Sequence, residues 1–503
     1  MDAFTNSVGS HIIYLDGYEV RRSPFHVAIG YWYKNDNPDS SDEFMPPKLL
    51  QDAFYRALQD FPILAGHIKT DNYSRVYVDV NKDNLNMPVY TDTTCDLNYS
   101  DMEKIGFNVT KVPIDLYGTY GVPVPSKLSD GKIKSANIRI LRFKNNSGVL
   151  VYASIGHSIT DGYGYVHFMN RWAEVARSML QQRSDKGDNN VPLPVREYVH
   201  DRSVPNGLRS NKTTALSAST VKYLLNSSNS ISRWIAWLSP EKRGWLIKKW
   251  IEKKDHTCCF FHIPSKRIED LRNSVQKYAP TNVKYSINDI LVTYLGIVVA
   301  QAKQEAKADK GSKSYAVAIN KLFGRSAKTL TEFDISININ MRSRVDHSDA
   351  NNYMGNMIIR KEIGFPYDLI QKGSTGEVLA TLAQKIRKLA AEPHSDFYAQ
   401  KGFLLDIRPD NIVYKTFFDQ GSEEGLVTSN LTRFAHYGVD FGSGAPAIVR
   451  HAPPTFDTHA YIMPTNPKLG GYEIELKLAP DEMEAVIQNT NWMKLVDSYE
   501  HYL

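Results

Sequence analysis

Residues 148–156 read GVLVYASIG, an apolar run of strand length with glycine at both ends. A run without polar alternation fits a strand buried on both faces, which needs a layer of structure on each side. Directly after it come His157-Ser-Ile-Thr-Asp161-Gly162 and then a helical stripe of Val166, Met169, Trp172, Ala173, Ala176 and Leu180. Strand, turn and amphipathic helix in that order predict an α/β architecture with the turn at the carboxyl end of a buried strand.

The chain is long enough for two such domains: 503 residues, 42% hydrophobic and 23% charged, with a mean hydropathy of −0.39. The net charge of +5 is too small and diffuse for a nucleic-acid face. Three cysteines, Cys95, Cys258 and Cys259, make neither a disulfide framework nor a zinc site, so no metal is expected and a reducing compartment fits. Without an apolar leader or a run of about 18 apolar residues, the sequence predicts a soluble, cytoplasmic protein and probes no membrane span.

Along the chain, PPKLLQDAFYRALQDFPILAG sets Leu49, Leu50, Ala53, Phe54, Ala57 and Leu58 at helical spacing before a break at Pro62. The polar stretch QQRSDKGDNN closes a first domain at 1–182. A Pro- and Ser-rich crossover fills 183–256, with Trp234, Trp237, Trp245 and Trp250 set among lysines. An interfacial membrane contact through 231–251 is one reading of that stretch; a helix packed on the body of the protein is the favoured one. A second domain, 257–503, opens with the strand CCFFHI and contains SINDILVTYLGIVVAQAKQEA, apolar almost all round and so buried. FDISININMRSR and YEIELKL read as further strands.

The spacing His-x-x-x-Asp occurs three times, at His67, His157 and His436, and chance supplies about one at this composition. Context separates them. Only His157 stands where a buried strand ends, and only its aspartate is followed by glycine, a residue that permits an unusual backbone. An imidazole there can take and return a proton near pH 7. No G-x-S-x-G elbow accompanies it, which favours direct transfer over a covalent enzyme intermediate. His67 and His436 read as structural, the latter on a strand, and Cys258 and Cys259 as inert core residues.

HSITDG at 157–162 together with DFGSGAP at 440–446 resembles the paired signature of the BAHD acyltransferases, including the fungal trichothecene 3-O-acetyltransferase group. In order along the chain, ALQDFPILAG, HDRS at 200–203, SINDILVTYL, MRSR at 341–344 with YMGN at 353–356, and GGYEIELKLAPDEM resemble further family elements. The resemblance implies an α/β protein of two chloramphenicol-acetyltransferase-like domains, each a mixed sheet with helices, with a tunnel between them. Acyl-CoA, first of all acetyl-CoA, would serve as co-substrate, with no permanently bound cofactor, and a small-molecule alcohol or amine as acceptor, in secondary metabolism and as a monomer. His157 would be the general base. Asp161 would pair with an arginine, Arg344 or Arg342, and Gly162, Asp440 and Gly442 would support the site.

Ser429 and Asn430 fall where the family has a Ser or Thr near a Trp, and are candidates for contacts to the acceptor or oxyanion. Lys321, Arg325 and Lys328 are candidates for the CoA phosphates, with a solvated loop as the favoured reading. One departure stands out: Ser443 replaces the Trp of the family's Asp-Phe-Gly-Trp-Gly. Two rival readings share the motif, a condensation-type enzyme with a carrier-protein donor and a non-catalytic binding protein of the same fold.

Overall fold

The computed structural model describes residues 4, 7–15, 26–71, 76–108, 111–112, 134–184, 195–200, 204–205, 256–310, 331–407, 425–451 and 458–502. The Trp-rich stretch 231–251 and Lys321, Arg325 and Lys328 lie outside them.

Three sheets organise these residues. The first strands are β1 (His11–Tyr14), β2 (His26–Lys34), β3 (His67–Thr70), β4 (Val76–Val80), β5 (Val89–Thr94), β6 (Ala136–Arg142) and β7 (Gly148–Gly156). The remainder are β8 (Thr257–Ile263), β9 (Glu332–Asn340), β10 (Ile358–Pro366), β11 (Gly425–Asn430), β12 (Ile448–His451), β13 (His459–Pro464), β14 (Tyr472–Leu478) and β15 (Ser498–Tyr502). A small sheet runs β1-β4-β3, a five-stranded one β12-β2-β7-β6-β5, and a seven-stranded one β10-β9-β11-β13-β14-β8-β15. Both larger sheets are mixed: β5 runs parallel to β6, and β11 parallel to β9 and β13, while the other neighbours are antiparallel.

All nine residues of β7 are buried. Val149, Val151, Ala153 and Ile155 point into one core and Leu150 and Tyr152 into another, which accounts for a strand with no polar face. Over the first of these cores lie α1 (Pro47–Ala57) and α2 (Gly162–Ser184). The predicted faces meet there. Leu49, Leu50, Ala53, Phe54 and Ala57 pack with Val166, Met169, Trp172, Ala173 and Ala176, and Trp172 Nε1 donates to the Leu50 carbonyl at 2.9 Å. Burial of each of the larger aliphatic, Met or Phe side chains contributes roughly 1.5–3 kcal/mol relative to exposure.

In the second half, α3 (Ile287–Lys310) covers the seven-stranded sheet, and every residue from Ile290 to Ala300 is buried. It lies close: a Cβ on Gly296 would stand 2.7 Å from Ile335 Cδ1 of β9. β8, with the paired cysteines, is buried throughout, and burial pushes both thiols up, Cys259 to about 12.

One strand crosses between halves. β12 belongs by sequence to the region 257–503, yet it pairs antiparallel with β2, Ile448 opposite Trp32 and His451 opposite Ile29. The segment 440–446 leads into it, so that loop delivers a C-terminal strand to the N-terminal sheet.

Candidate active site

His157 follows the last residue of β7 in a tight turn, closed by the Ile159 amide donating to the Gly156 carbonyl at 2.9 Å. Its side chain is half-buried. Its carbonyl accepts from Asn356 Nδ2 at 2.7 Å, so a residue 199 positions downstream fixes the backbone that carries the imidazole.

Asp161 is fully buried and caps α2. Its Oδ1 accepts from the amides of Tyr163 at 3.1 Å and Gly164 at 3.2 Å, two of the donors a helix start leaves unpaired. Arg342 grips the same carboxylate in a fork, Nη1 to Oδ2 at 2.8 Å and Nη2 to Oδ1 at 3.2 Å. The Met357 amide donates to Oδ2 at 3.0 Å. Burial pushes this carboxyl up, but the Arg342 charge and the Met357 and Gly164 amides outweigh burial and hold it below the ordinary aspartate value. Arg342 spends its other donors on the carbonyls of Tyr353 and Gly355, and its guanidinium lies 4.3 Å from the Tyr163 ring centre.

The arginine of this pair is therefore Arg342, and Arg344 is corrected out of the site. The two sit on a 3₁₀ turn, Arg342–Arg344, where residues two apart point in different directions. Arg344 is turned outward, with Nη1 3.4 Å from the Glu392 carbonyl.

Two glycines serve the motif, for reasons of space. Gly162 does not have positive φ; a Cβ there would come 2.9 Å from Phe434 Cε2 and 3.8 Å from Leu431 Cδ2. At Gly164, which sequence reasoning passed over, a Cβ would stand 2.1 Å from Thr160 Oγ1 and 2.3 Å from the Met354 carbonyl. The segment 351–357 thus lies directly on the first turn of α2. Thr160 Oγ1 donates to the Met354 carbonyl at 2.7 Å and the Tyr163 hydroxyl to the Asn351 carbonyl at 2.8 Å. On its other side that segment pairs with the crossover, Val199 N to Asn352 O and Met354 N to Val199 O, both 2.8 Å. Of HDRS only His200 is described, its Nε2 3.0 Å from the Asp60 carbonyl.

The second signature does not meet the first. Asp440 Oδ1 accepts from the amides of Gly442 at 2.7 Å and Gly444 at 2.8 Å, and its carbonyl accepts from Arg177 Nη1. Gly442 has φ of 104° and Gly444 94°, conformations that favour glycine. A Cβ on Gly442 would also strike Leu180 Cδ1 at 2.3 Å. Arg177 and Leu180 lie towards the far end of α2, about 24 and 28 Å along the helix from Asp161 at 1.5 Å per residue. Phe441 is buried there, its ring 4.8 Å from Trp172, while Ser443 is exposed. The Asp440 carboxylate holds a loop.

Ser429 and Asn430, adjacent at the end of β11, point to opposite faces, as the pleat requires. Ser429 is in register with Tyr461, which packs against the N-terminal core. Asn430 turns away: its Nδ2 donates to Asn288 Oδ1 at 2.6 Å, and its Oδ1 accepts from the amide and hydroxyl of Thr432 at 2.9 and 2.7 Å. Leu431 then leads back to Gly162. His436 lies on a 3₁₀ turn, where a strand was expected. It is buried, its Nδ1 3.1 Å from the Tyr31 hydroxyl, and burial pushes it down to about 3. Among the described residues no three His, Cys, Asp or Glu side chains converge as a metal ligand set, and no helix is long and apolar enough to cross a membrane.

The profile of the Transferase family matches residues 19–232 and 320–493, spanning both halves and both signatures. The chain belongs to that family, the BAHD acyltransferases. This BAHD chain is 21% identical over 449 residues to the enoyl-CoA isomerase/hydratase claC of Penicillium crustosum, 84% of this chain and 45% of that protein. It is 26% identical over 156 residues to a hydroxycinnamoyltransferase of Narcissus pseudonarcissus, 31% of this chain and 33% of that one. It thus spans less than half the length of either relative. In structure it resembles TRI101 of F. graminearum complexed with coenzyme A and T-2 mycotoxin, with a TM-score of 0.68 at 15% identity over 97% of this chain and 99% of that one. The fold is the expected one: α/β, with two chloramphenicol-acetyltransferase-like domains.

Proposed function

We propose that this protein is an acyl-CoA-dependent acyltransferase that moves an acyl group, acetyl as the first candidate, to a hydroxyl of a small molecule, with His157 as general base. The observation that carries this reading is the occupancy of Asp161. Both its oxygens are taken by Arg342 and by three backbone amides, so it braces the turn and is not a relay partner of His157. The coenzyme A held by the structural relative supports the donor class.

In the reaction so read, His157 takes the proton of the acceptor hydroxyl as its oxygen attacks the thioester carbonyl carbon. A C–O bond forms, and the carbonyl electrons move to oxygen, giving a tetrahedral oxyanion. That oxyanion collapses, the C–S bond breaks, and the leaving thiolate takes the proton from the imidazolium, releasing CoA-SH and ester. Ser429 is the hydroxyl we assign to the oxyanion. Lys321, Arg325 and Lys328 are the candidates for contact with the CoA phosphates. The two substrates would meet between domains 1–182 and 257–503, joined by the crossover 183–256, in a cytoplasmic monomer.

The test is calorimetry with acetyl-CoA and longer acyl-CoAs, followed by free-thiol release across a panel of alcohols and amines. Micromolar binding and alcohol-dependent thiol release are expected. Failure to bind any acyl-CoA overturns the reading in favour of a carrier-protein donor or a non-catalytic role.

A further inference from the structure

The face of the seven-stranded sheet that bears Ser429 carries two more polar side chains in line with it. β9, β11 and β13 run parallel, with Ser336 opposite Val427 and Ile337 opposite Thr428; one step further sets Asn338 beside Ser429. Ser429 is opposite Tyr461, and His459, two residues before Tyr461, shares its face. Asn338 Nδ2 donates to Ser429 Oγ at 2.8 Å, and His459 Nε2 lies 3.2 Å from the same oxygen. Ser429 is 8% and His459 6% exposed. The His459 ring stacks on Tyr461 at 4.5 Å, and Tyr461 stacks in turn on His451 at 4.3 Å, so the imidazole is held in plane by packing.

Burial pushes His459 down to about 3, with Arg360, His451 and Lys477 adding to the effect. At neutral pH it is an uncharged ring with one N–H and one lone pair. A serine hydroxyl has two lone pairs and one proton. With Asn338 Nδ2 on one lone pair and, when His459 carries its proton on Nε2, that N–H on the other, the proton of Ser429 is available to a further acceptor. Two neighbours tie Ser429 to the N-terminal half: Tyr461, in register with it, and Leu431, two residues on, both pack on that core, and Leu431 stands beside Gly162 of the His157 turn.

We propose that Asn338 and His459 are positioning residues that hold Ser429 as a hydrogen-bond donor to the substrate oxygen that becomes negative, with His459 in its Nε2–H tautomer. The proposal rests on the acyl-transfer reading and adds two residues on separate strands that act through Ser429.

The experiment is thiol release from acetyl-CoA, with kcat and KM measured against water or the best alcohol of the panel. Ser429→Ala is expected to lower kcat about 100-fold and His459→Phe about 10-fold, with the KM for acetyl-CoA unchanged. His459→Gln, whose amide can donate from nearly the same place, should recover most of the loss. The double variant Ser429→Ala/His459→Phe should be no slower than Ser429→Ala. Asn338→Leu gives an independent reading from another strand: slower alone, without effect in the Ser429→Ala background. Thermal unfolding and acetyl-CoA calorimetry establish that each variant is folded. Multiplying losses in the double variants, or a His459→Phe enzyme with parental kcat, would overturn the positioning role while leaving acyl transfer intact. A parent protein that releases no thiol from any acyl-CoA refutes acyl transfer itself and this assignment with it.

Discussion

Asp161→Asn separates a bracing carboxylate from a catalytic one. In the native turn Oδ1 accepts from the Tyr163 and Gly164 amides and Arg342 Nη2, and Oδ2 from Arg342 Nη1 and the Met357 amide. Asparagine keeps the shape, but one oxygen becomes an NH₂ group facing donors whichever way the amide is turned. Arg342 keeps its charge, at 3% exposure, and is left with carbonyl partners alone. An uncompensated buried charge of this kind costs about 3–5 kcal/mol, and an orphaned backbone amide roughly 1–3 kcal/mol. Because both arise from one substitution, we expect the variant to lose at least 3 kcal/mol, on the order of the first figure alone.

The assay is urea unfolding at pH 7 beside thiol release from acetyl-CoA. Stability and turnover should fall together. Arg342→Met should cost a similar amount, and the Asp161→Asn/Arg342→Met double variant less than the sum, since neither partner is then left alone. The pH dependence has a definite sign. The Asp161 carboxyl lies lower in the folded protein than its ordinary 3.8, so its contribution is fully present above that value and is lost as the pH falls through the folded pKa. Parental stability should therefore show no loss from this pair between pH 5 and pH 8, and the Asp161→Asn variant should lack the acid-side decline. An Asp161→Asn protein as stable as the parent and inactive would refute the reasoning and make Asp161 a proton-relay partner of His157.

His157→Ala should reduce thiol release by roughly 100-fold or more with the unfolding midpoint unchanged, since its side chain ends a strand and is half-buried; retained turnover in a kinetic assay excludes it as base. Gly164→Ala puts a methyl 2.1 Å from Thr160 Oγ1 and 2.3 Å from a carbonyl, and should cost about 1–3 kcal/mol or more in urea unfolding; a neutral result would mean that 351–357 is not seated on α2. Asp440→Ala removes the acceptor for two loop amides and should cost about 1–2 kcal/mol. Asp440→Asn, which keeps an acceptor oxygen, should be milder in the same assay. Arg344→Ala should leave both stability and turnover near parental values, as among the described residues its guanidinium reaches an exposed carbonyl alone.

Periodicity made α1, α2 and α3 legible because each buries a face at fixed spacing, and β7 and β8 because strands covered on both sides are apolar without alternation. What the sequence left open were choices that depend on a local turn. Arg342 and Arg344 are chemically equal and two residues apart; only the 3₁₀ conformation after β9 decides which reaches Asp161. Ser429 and Asn430 likewise look interchangeable until the pleat of β11 sends them to opposite faces. Asn338 and His459 carried no signal at all, since their partnership with Ser429 arises from strand order β9-β11-β13, which no stretch of sequence encodes locally. β12 was hidden for the same reason: four residues pair with a strand more than 400 positions upstream.

The motif at 157–162 then resolves into parts with separate physical requirements. His157 has to follow the last residue of β7 so that its ring stands beyond the sheet, and Asp161 has to be the residue before the first turn of α2 so that it can cap Tyr163 and Gly164. The four-residue spacing is the length of the turn between those two places and does not reflect contact between the side chains. Such a turn by itself would be loose, yet Asn356 holds its first residue and Arg342 its last, and both come from the segment after β9. The proposed general base is thus mounted on the N-terminal half and adjusted from the C-terminal half. A change that shifts 351–357, such as a Cβ on Gly164, should for this reason lower turnover further than its effect on stability alone would require.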